Sequence, residues 1–299
     1  MDRFEAMSLL LRVVERGSLS AAGRELGVPL PTLSRKLSDL EALVGARLLI
    51  RTTRRLTLTD AGVAYVAAAR RIVEQVEEAE RAASGEFLTP KGELVVSAPI
   101  HFGRLHVLPV VIAFLGAHPL IDVQLHLSDR NARLVDDHID MAVRIGALAD
   151  SAMMATRVGS MRTVVCASPG LLAAHGEPAS PAALSDMPCV SFERMATAQT
   201  WRFRDPSGGP AMDLPVRPRL TVSTAEAAVD AAVAGVGVTR VLRYQAAEAI
   251  AGGALRIVLA DFEVEPLPVN LVHAGRGLMP LKMRSFLDFA APRLRAALA

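Results

Sequence analysis

Apolar residues recur at helical spacing from the start of the chain. Phe4, Met7, Leu10, Leu11 and Val14 mark one face of an amphipathic helix over Phe4 to Glu15. Gly17 ends it, and Ser18 or Ser20 can cap a second short helix holding Ala21, Ala22 and Leu26. Gly27 turns the chain, and Pro29 and Pro31 stand where a helix can begin but not continue. A third helix is predicted roughly from Pro31 to Leu43. It buries Leu33, Leu37, Leu40 and Leu43 and carries Thr32, Ser34, Arg35, Lys36 and Ser38 on its other face. Leu49, Arg51, Arg54, Leu56 and Leu58 then suggest two short strands around Thr52, Thr53 and Arg54. Short helices around a tight break, followed by a basic hairpin, form the layout of a winged helix-turn-helix.

A longer helical pattern starts at Asp60 and runs to about Ala83. Val66, Ala69, Val73, Val76 and Ala83 fall on positions a and d of a heptad, interrupted by Glu80. This narrow apolar stripe, flanked by Arg70, Glu74, Glu77 and Glu78, suits a dimerising helix. The alternative is a helix packed on its own domain. Ser84-Gly85 and Pro90-Lys91-Gly92 read as a hinge. Beyond it the period changes: strands are predicted at Glu93–Pro99, Ile121–Leu127, Asp140–Ile145, Thr163–Ala167 and Leu255–Leu259, with a helix at Leu105–Ala117. Such alternation predicts a doubly wound α/β sheet.

Composition narrows the function classes. The 299 residues suffice for two or three domains. The 51% of hydrophobic residues are mostly Ala, Val and Leu dispersed among charges. No run of about 18 uncharged apolar residues predicts a membrane span. The first residues lack a basic head followed by an apolar stretch, so a cytoplasmic location and no membrane partner are expected. Cys166 and Cys189 have no nearby Cys or His, which predicts neither a disulfide framework nor a metal site. A net charge of +2 identifies no partner, but its distribution does. Arg35, Lys36, Arg47, Arg51, Arg54 and Arg55 crowd one segment against only Asp39 and Glu41, the basic patch a phosphate-facing surface requires.

These residues also carry a family resemblance. Gly17-Ser18-Leu19-Ser20-Ala21-Ala22, Leu26, Ser34, Leu40-Glu41, Gly45, Leu48-Leu49, Arg51 and Leu58-Thr59-Asp60-Ala61-Gly62 resemble the LysR-type transcriptional regulators in order and spacing. The likeness continues through Gly92–Pro99, Phe102-Gly103, Pro109, Phe114, Pro119, Asp140–Gly146, Cys166–Pro169 and Gly235-Val236-Gly237-Val238. It implies a winged helix-turn-helix at residues 1–60 and a linker helix and hinge at 61–90. It also implies a periplasmic-binding-protein-like effector domain at 91–299. Within that domain, subdomain I would comprise about 91–162 with 269–299, and subdomain II about 163–268, with the ligand between them. Double-stranded DNA, a small-molecule effector, a second copy of the chain (a dimer, by resemblance a tetramer) and RNA polymerase are the implied partners. No cofactor is implied. The chain departs from the family at Pro29 and Leu30, where many relatives carry Ser and Gln. Ile50 replaces a common Phe, and Arg133 a frequent acid.

A reading helix enters the major groove with its N-terminal residues. Leu30, Thr32, Ser34, Arg35 and Lys36 are therefore candidate DNA contacts. Leu30 can meet a thymine methyl and Arg35 can pair with guanine. Arg51, Thr53, Arg54 and Arg55 on the wing, and Ser18 and Ser20 at a helix start, suit phosphate. For Arg35 and Lys36 taken alone, a solvated helix face is the competing reading.

For the effector, the candidates are Ser97, Pro99, Ile100, His101 and Phe102, where a strand runs into a helix start that favours anions. Ser128 ends the next strand, and Arg144 can grip a carboxylate through two parallel hydrogen bonds. Phe192, Trp201, Phe203, Ser223 and Thr224 complete the set. His101 can equally be a capping residue, one of Trp201 and Phe203 can be core, and Arg144 can brace Asp140. Together they suggest a small organic acid. A thiol-based redox sensor using Cys166 and Cys189 is the main alternative, although Cys166 sits in an apolar strand that favours an inert thiol. A stand-alone solute-binding protein is a further one. No Gly-x-Ser-x-Gly elbow or phosphate-binding Gly-x-x-x-x-Gly-Lys loop points to an enzyme.

Overall fold

The computed structural model describes residues 2–51, 56–84, 89–130, 133–134, 137–148, 153–192, 199–275 and 279–298. Contacts divide the chain into two compact units, Met1–Gly92 with Leu278–Lys282, and Glu93–Gly277 with Met283–Ala299.

In the first unit, α1 (Arg3–Arg16) starts where the Asp2 carboxylate accepts from the Phe4 amide at 2.9 Å. It ends at Gly17, whose left-handed φ of 62° suits glycine. Ser18 caps α2 (Leu19–Leu26) by accepting from the Ala21 amide. The break before α3 (Leu30–Val44) depends on Gly23, where a Cβ would lie 2.8 Å from the Val28 carbonyl oxygen. Strands β1 (Leu49–Arg51) and β2 (Leu56–Leu58) pair antiparallel, and α4 (Asp60–Ser84) follows. A Cβ at Gly62 would meet the Leu48 carbonyl oxygen at 2.0 Å, so glycine lets α4 start against the first wing strand.

The core of this unit joins Leu9, Leu10 and Val13 to Ala22, Leu33, Leu37, Leu40 and Leu48. Leu43, expected inside, is 50% exposed. Ten residues beyond Leu33 it has rotated about 80° off the buried stripe. A second correction concerns α4. Val66 and Ala69 are buried in this same core and Val73 packs against it, so these expected dimer contacts face their own domain. The first part of the stripe therefore packs within its own unit, which also contains the adjacent α1, as the alternative reading had it. Ile72 lies exposed on α4, Val76 is half-buried, and the Ala83 side chain lies outside the described residues.

The second unit contains two five-stranded sheets. One has the order β4-β3-β5-β14-β6, built from β3 (Gly92–Ala98), β4 (Ile121–Leu127), β5 (Met141–Ile145), β6 (Met153–Met161) and β14 (Leu267–Ala274). The other, β11-β8-β12-β7-β13, uses β7 (Thr163–Ala167), β8 (Cys189–Ser191), β11 (Pro218–Thr221), β12 (Val238–Leu242) and β13 (Arg256–Val258). Both sheets are mixed: β3 pairs parallel with β5 and β8 with β12, while β14 and β7 run antiparallel to their neighbours. The expected doubly wound α/β pattern is thus realised as two mixed sheets, in keeping with the two subdomains that the resemblance implies. Strands β6 and β14, absent from the sequence reading, close the first.

Helix α5 (Ile100–Ala117) leaves β3 and contains a π-helical turn at Gly103–Val107. It is long and apolar enough to cross a membrane, yet it also buries Phe102, Val107, Val110, Val111 and Phe114 within this unit. A Cβ at Gly103 would meet Leu127 Cδ2 at 2.2 Å, so glycine permits close seating of the helix on β4. Other helices are α6 (Pro169–His175), α7 (Ala225–Val233), α8 (Ala247–Ala251) and α9 (Leu281–Leu298). Strands β9 (Gln199–Phe203) and β10 (Met212–Val216) form a separate antiparallel ribbon.

Candidate functional site

The first unit presents the N-terminal end of α3. Leu30 is 45% exposed, Arg35 is exposed, and Thr32 and Ser34 are half-buried beside them. Pro29 supplies no side-chain cap, as the departure from Ser predicts. Lys36 is differently placed from the expected free face. It pairs with Glu5 and so ties α3 to α1. Ser18 is occupied as the α2 cap, and Ser20, two residues on in the first turn, is exposed. Thr53, Arg54 and Arg55, and the Arg51 side chain, lie outside the described residues.

In the second unit a cavity of about 280 Å³ opens at the carboxyl ends of β3, β4 and β12, the position where open α/β sheets bind ligands. Ser97, Pro99, Ser128, Arg144 and Phe192 line it, as expected from sequence. Asp129, Arg130, Tyr244 and Gln245 line it too, and sequence reasoning missed them. The signal was available: Asp129 and Arg130 directly follow β4, and Tyr244, one of two tyrosines, lies just past β12.

The hydrogen bonds explain how this wall is held. Asp129 Oδ1 accepts from the Ile100 amide at 3.0 Å and thereby caps α5. The Ser128 hydroxyl accepts from the Arg130 amide at 3.2 Å. Gln245 Oε1 accepts from the Leu242 amide at 2.9 Å, and its Nε2 donates to the Tyr244 hydroxyl at 3.4 Å. The Tyr244 ring stands edge-on to His101, Phe102 and His106, with centroids 5.5, 5.7 and 5.8 Å away. Burial pushes the Tyr244 hydroxyl far above its ordinary pKa, and the Asp129 and Glu226 charges add to this. Burial, then His101, hold His106 below the usual histidine range.

Several expected contacts are elsewhere. Trp201 and Phe203 are 4% and 2% exposed within the core around Leu171, Leu184 and Val238. Two residues apart on β9, they share one face, and that face packs inward. Phe102 is fully buried, and Ile100 is exposed away from the lining. His101 Nδ1 lies 3.4 Å from Glu226 Oε1, close enough for an ion pair but misaligned for a hydrogen bond. Thr224 caps α7 through the Ala227 amide, and exposed Ser223 is not part of the wall. Asp140 accepts from the Val95 amide at 2.9 Å. Cys166 and Cys189 are buried, and burial raises their thiols to about 12 and about 11. No group of three His, Cys, Asp or Glu residues suited to a metal occurs among the described residues.

The two units also match known proteins. Residues 4–63 match the bacterial regulatory helix-turn-helix protein of the lysR family, and residues 89–295 the LysR substrate binding domain. The chain belongs to the LysR family. An HTH-type transcriptional regulator of Xanthomonas campestris pv. campestris (strain 8004) is 35% identical over 290 residues, 96% of this chain and 84% of that protein. The regulator CrgA of Neisseria meningitidis serogroup B is 32% identical over 292 residues, 97% of this chain and 96% of that one. The solved structure of N. meningitidis CrgA, a LysR-type transcriptional regulator, is similar with a TM-score of 0.60 at 30% identity. That match covers 97% of this chain and 98% of CrgA. This LysR-family chain is accordingly a DNA-binding transcriptional regulator with an effector-binding domain.

Proposed function

We propose that this regulator reads a two-fold DNA site as a dimer and changes its grip when a small organic acid enters the cavity beside Ser97. The cavity carries the reading. It lies at strand ends, it is lined by Ser97, Ser128 and Arg144, and it belongs to the same chain as a helix-turn-helix. Arg144 would take a carboxylate through paired hydrogen bonds, and the serine hydroxyls would orient it. At the DNA, Leu30, Thr32, Ser34 and Arg35 would face base edges, with Ser20 and the wing residues Arg51, Thr53, Arg54 and Arg55 on phosphate. Lys36, paired with Glu5, would act by fixing α3.

Dimerisation is assigned to the α4 face bearing Ile72 and Val76, since Val66 and Ala69 are already covered. Residues 1–60, 61–90 and 91–299 would serve as reader, linker and sensor, acting by binding rather than turnover, with RNA polymerase as the downstream partner. Effector can shift the reader only by binding one arrangement better than another.

The test is a footprint of the full chain on DNA upstream of its own gene, with salt varied and small organic acids added. An imperfect inverted repeat, protected with steep salt dependence and altered by one acid, is expected. Footprints identical with and without every acid would remove the effector half of the proposal.

A further inference from the structure

Among the described strands of the second unit, the chain crosses between the two sheets twice. Arg162 alone separates β6 of the first sheet from β7 of the second. The return runs through residues 263–266, from a 3-10 turn at Ala260–Phe262 to β14. Leu267 pairs with Met161, so the two crossovers lie side by side. There the Arg162 guanidinium donates twice to the Glu263 carboxylate, from Nε to Oε2 at 2.9 Å and from Nη2 to Oε1 at 2.9 Å. Paired bonds of this kind fix direction as well as distance.

This pair differs from ion pairs at the open surface. In Arg256–Glu177 and Arg202–Asp213 both side chains are more than half exposed, where a pair is worth little. The Glu263 side chain is only 12% exposed, so losing its partner would leave a nearly buried charge alone. Its position is set from behind. Leu259, with a left-handed φ of 57°, opens a turn that the Phe262 and Glu263 amides close on the carbonyls of Leu259 and Ala260. The Arg204 amide donates to the Phe262 carbonyl at 2.9 Å and ties this turn to the end of β9. Arg162 is held on its other side as well. Its carbonyl accepts from the Arg243 amide at 2.8 Å, and the next two residues, Tyr244 and Gln245, line the cavity.

We propose that Arg162 and Glu263 are positioning residues for the effector response: their pair makes the two crossovers bend as one, so the sheets open and close along a single path. This rests on the reading of the cavity as the effector site. The cavity wall draws Ser97 and Ser128 from the first sheet and its strand ends, and Leu242, Tyr244 and Gln245 from the second. With the pair intact, Tyr244 and Gln245 move with the crossovers. Without it each crossover bends separately, and that wall loses its register with Ser97. A ligand must then select one arrangement from a wider set, and its apparent affinity falls with the competent fraction.

The experiment is pulsed electron spin resonance on the full-length protein without ligand, with nitroxides at Asp122→Cys on β4 and Arg219→Cys on β11. Both positions are exposed on edge strands of the two sheets, and the buried Cys166 and Cys189 stay unlabelled. Labelled chains are diluted into unlabelled protein, so each distance is read within one chain. With the pair intact, one narrow distance distribution is expected. Arg162→Lys keeps the charge but loses the fork, and Glu263→Gln loses the charge; each should broaden the distribution. The double variant Arg162→Gln, Glu263→Gln should be no broader than the wider single one, because one interaction is lost only once. An unchanged width in both single variants, even at a lowered melting temperature, overturns the proposal and leaves a pair that only stabilises. A double variant in which the two effects add overturns it too. The small organic acid that alters the footprint should bind each single variant about tenfold more weakly. Equal affinity in a broadened variant overturns the positioning role. An absence of any such acid refutes the reading of the cavity, while the widths still decide whether the pair governs the sheets.

Discussion

The carboxylate of Glu41, on α3, accepts a hydrogen bond from the backbone amide of Leu48 at 2.8 Å, and the same oxygen also serves Leu49 at 3.0 Å. The helix proposed to read DNA therefore holds the first strand of the wing directly. Glu41→Ala should cost about 1.5–3 kcal/mol, the usual worth of a hydrogen bond to a charged group. Glu41→Gln should lose less, because its amide oxygen can still accept. Denaturant melts would give the loss, and amide exchange should accelerate first at Leu48 and Leu49. Unchanged exchange at both amides in the alanine variant would show that the wing is held by other contacts.

Arg35 stands exposed on α3 beside Leu30, and no side-chain partner for it occurs among the described residues. If it pairs with guanine, Arg35→Ala should cost about 1–3 kcal/mol of specific binding and relax preference at one position of each half-site. The slope of log affinity against log salt should hardly change. A slope reduced by about one, with sequence preference intact, would instead make Arg35 a phosphate anchor.

What could be read from sequence follows from which signals are local. Helices α1 to α4 were legible because Leu10, Leu33, Leu37 and Leu40 repeat at helical spacing and Gly17, Gly27 and Gly45 stop each helix in a left-handed conformation. The stripe on α4 was legible as a stripe, but not its partner: spacing states that Val66 and Ala69 are covered without stating by what. The cavity was half legible. Ser97, Ser128 and Arg144 lie on or beside strands with clear patterns. Asp129, Tyr244 and Gln245 enter it only because two sheets bring distant strand ends together, and no local period encodes that. Trp201 and Phe203 looked like ligand surface because aromatic residues serve both cores and pockets.

The cysteines bear on the redox alternative. Burial raises Cys166 from an ordinary 9.0 to about 12 and Cys189 to about 11, so thiolate is scarce at neutral pH. At pH 8, labelling of the native protein by a thiol reagent should be at least about a hundredfold slower than that of the denatured chain. The sign for stability follows. Unfolded thiols ionise near 9.0 and the folded ones only well above it, so their contribution is complete below pH 9. It is lost as the pH rises from there towards 11 and 12. Fast labelling of either native thiol, with a changed footprint on oxidation, would restore the redox reading.

Trp201 is the chain's sole tryptophan and reports on whether the β9–β10 ribbon belongs to the core or to the cleft. At 4% exposure it packs with Phe203 in the cluster containing Leu171, Leu184 and Val238, and it lines no part of the effector cavity. Its emission should therefore be blue-shifted in the native protein and resistant to iodide. It should stay unchanged when an effector is added at saturation. Trp201→Ala should cost about 3–5 kcal/mol through the cavity it leaves. Trp201→Phe should keep most of that packing and leave effector affinity within about twofold, because no ligand contact is removed. Direct quenching by the effector, or a large loss of affinity in the Phe variant at unchanged stability, would put the indole in the binding site and require the ribbon to move on ligand entry. Burial of Trp201 and Phe203 on one face of β9 argues for the first outcome, since swinging one ring outward would uncover both.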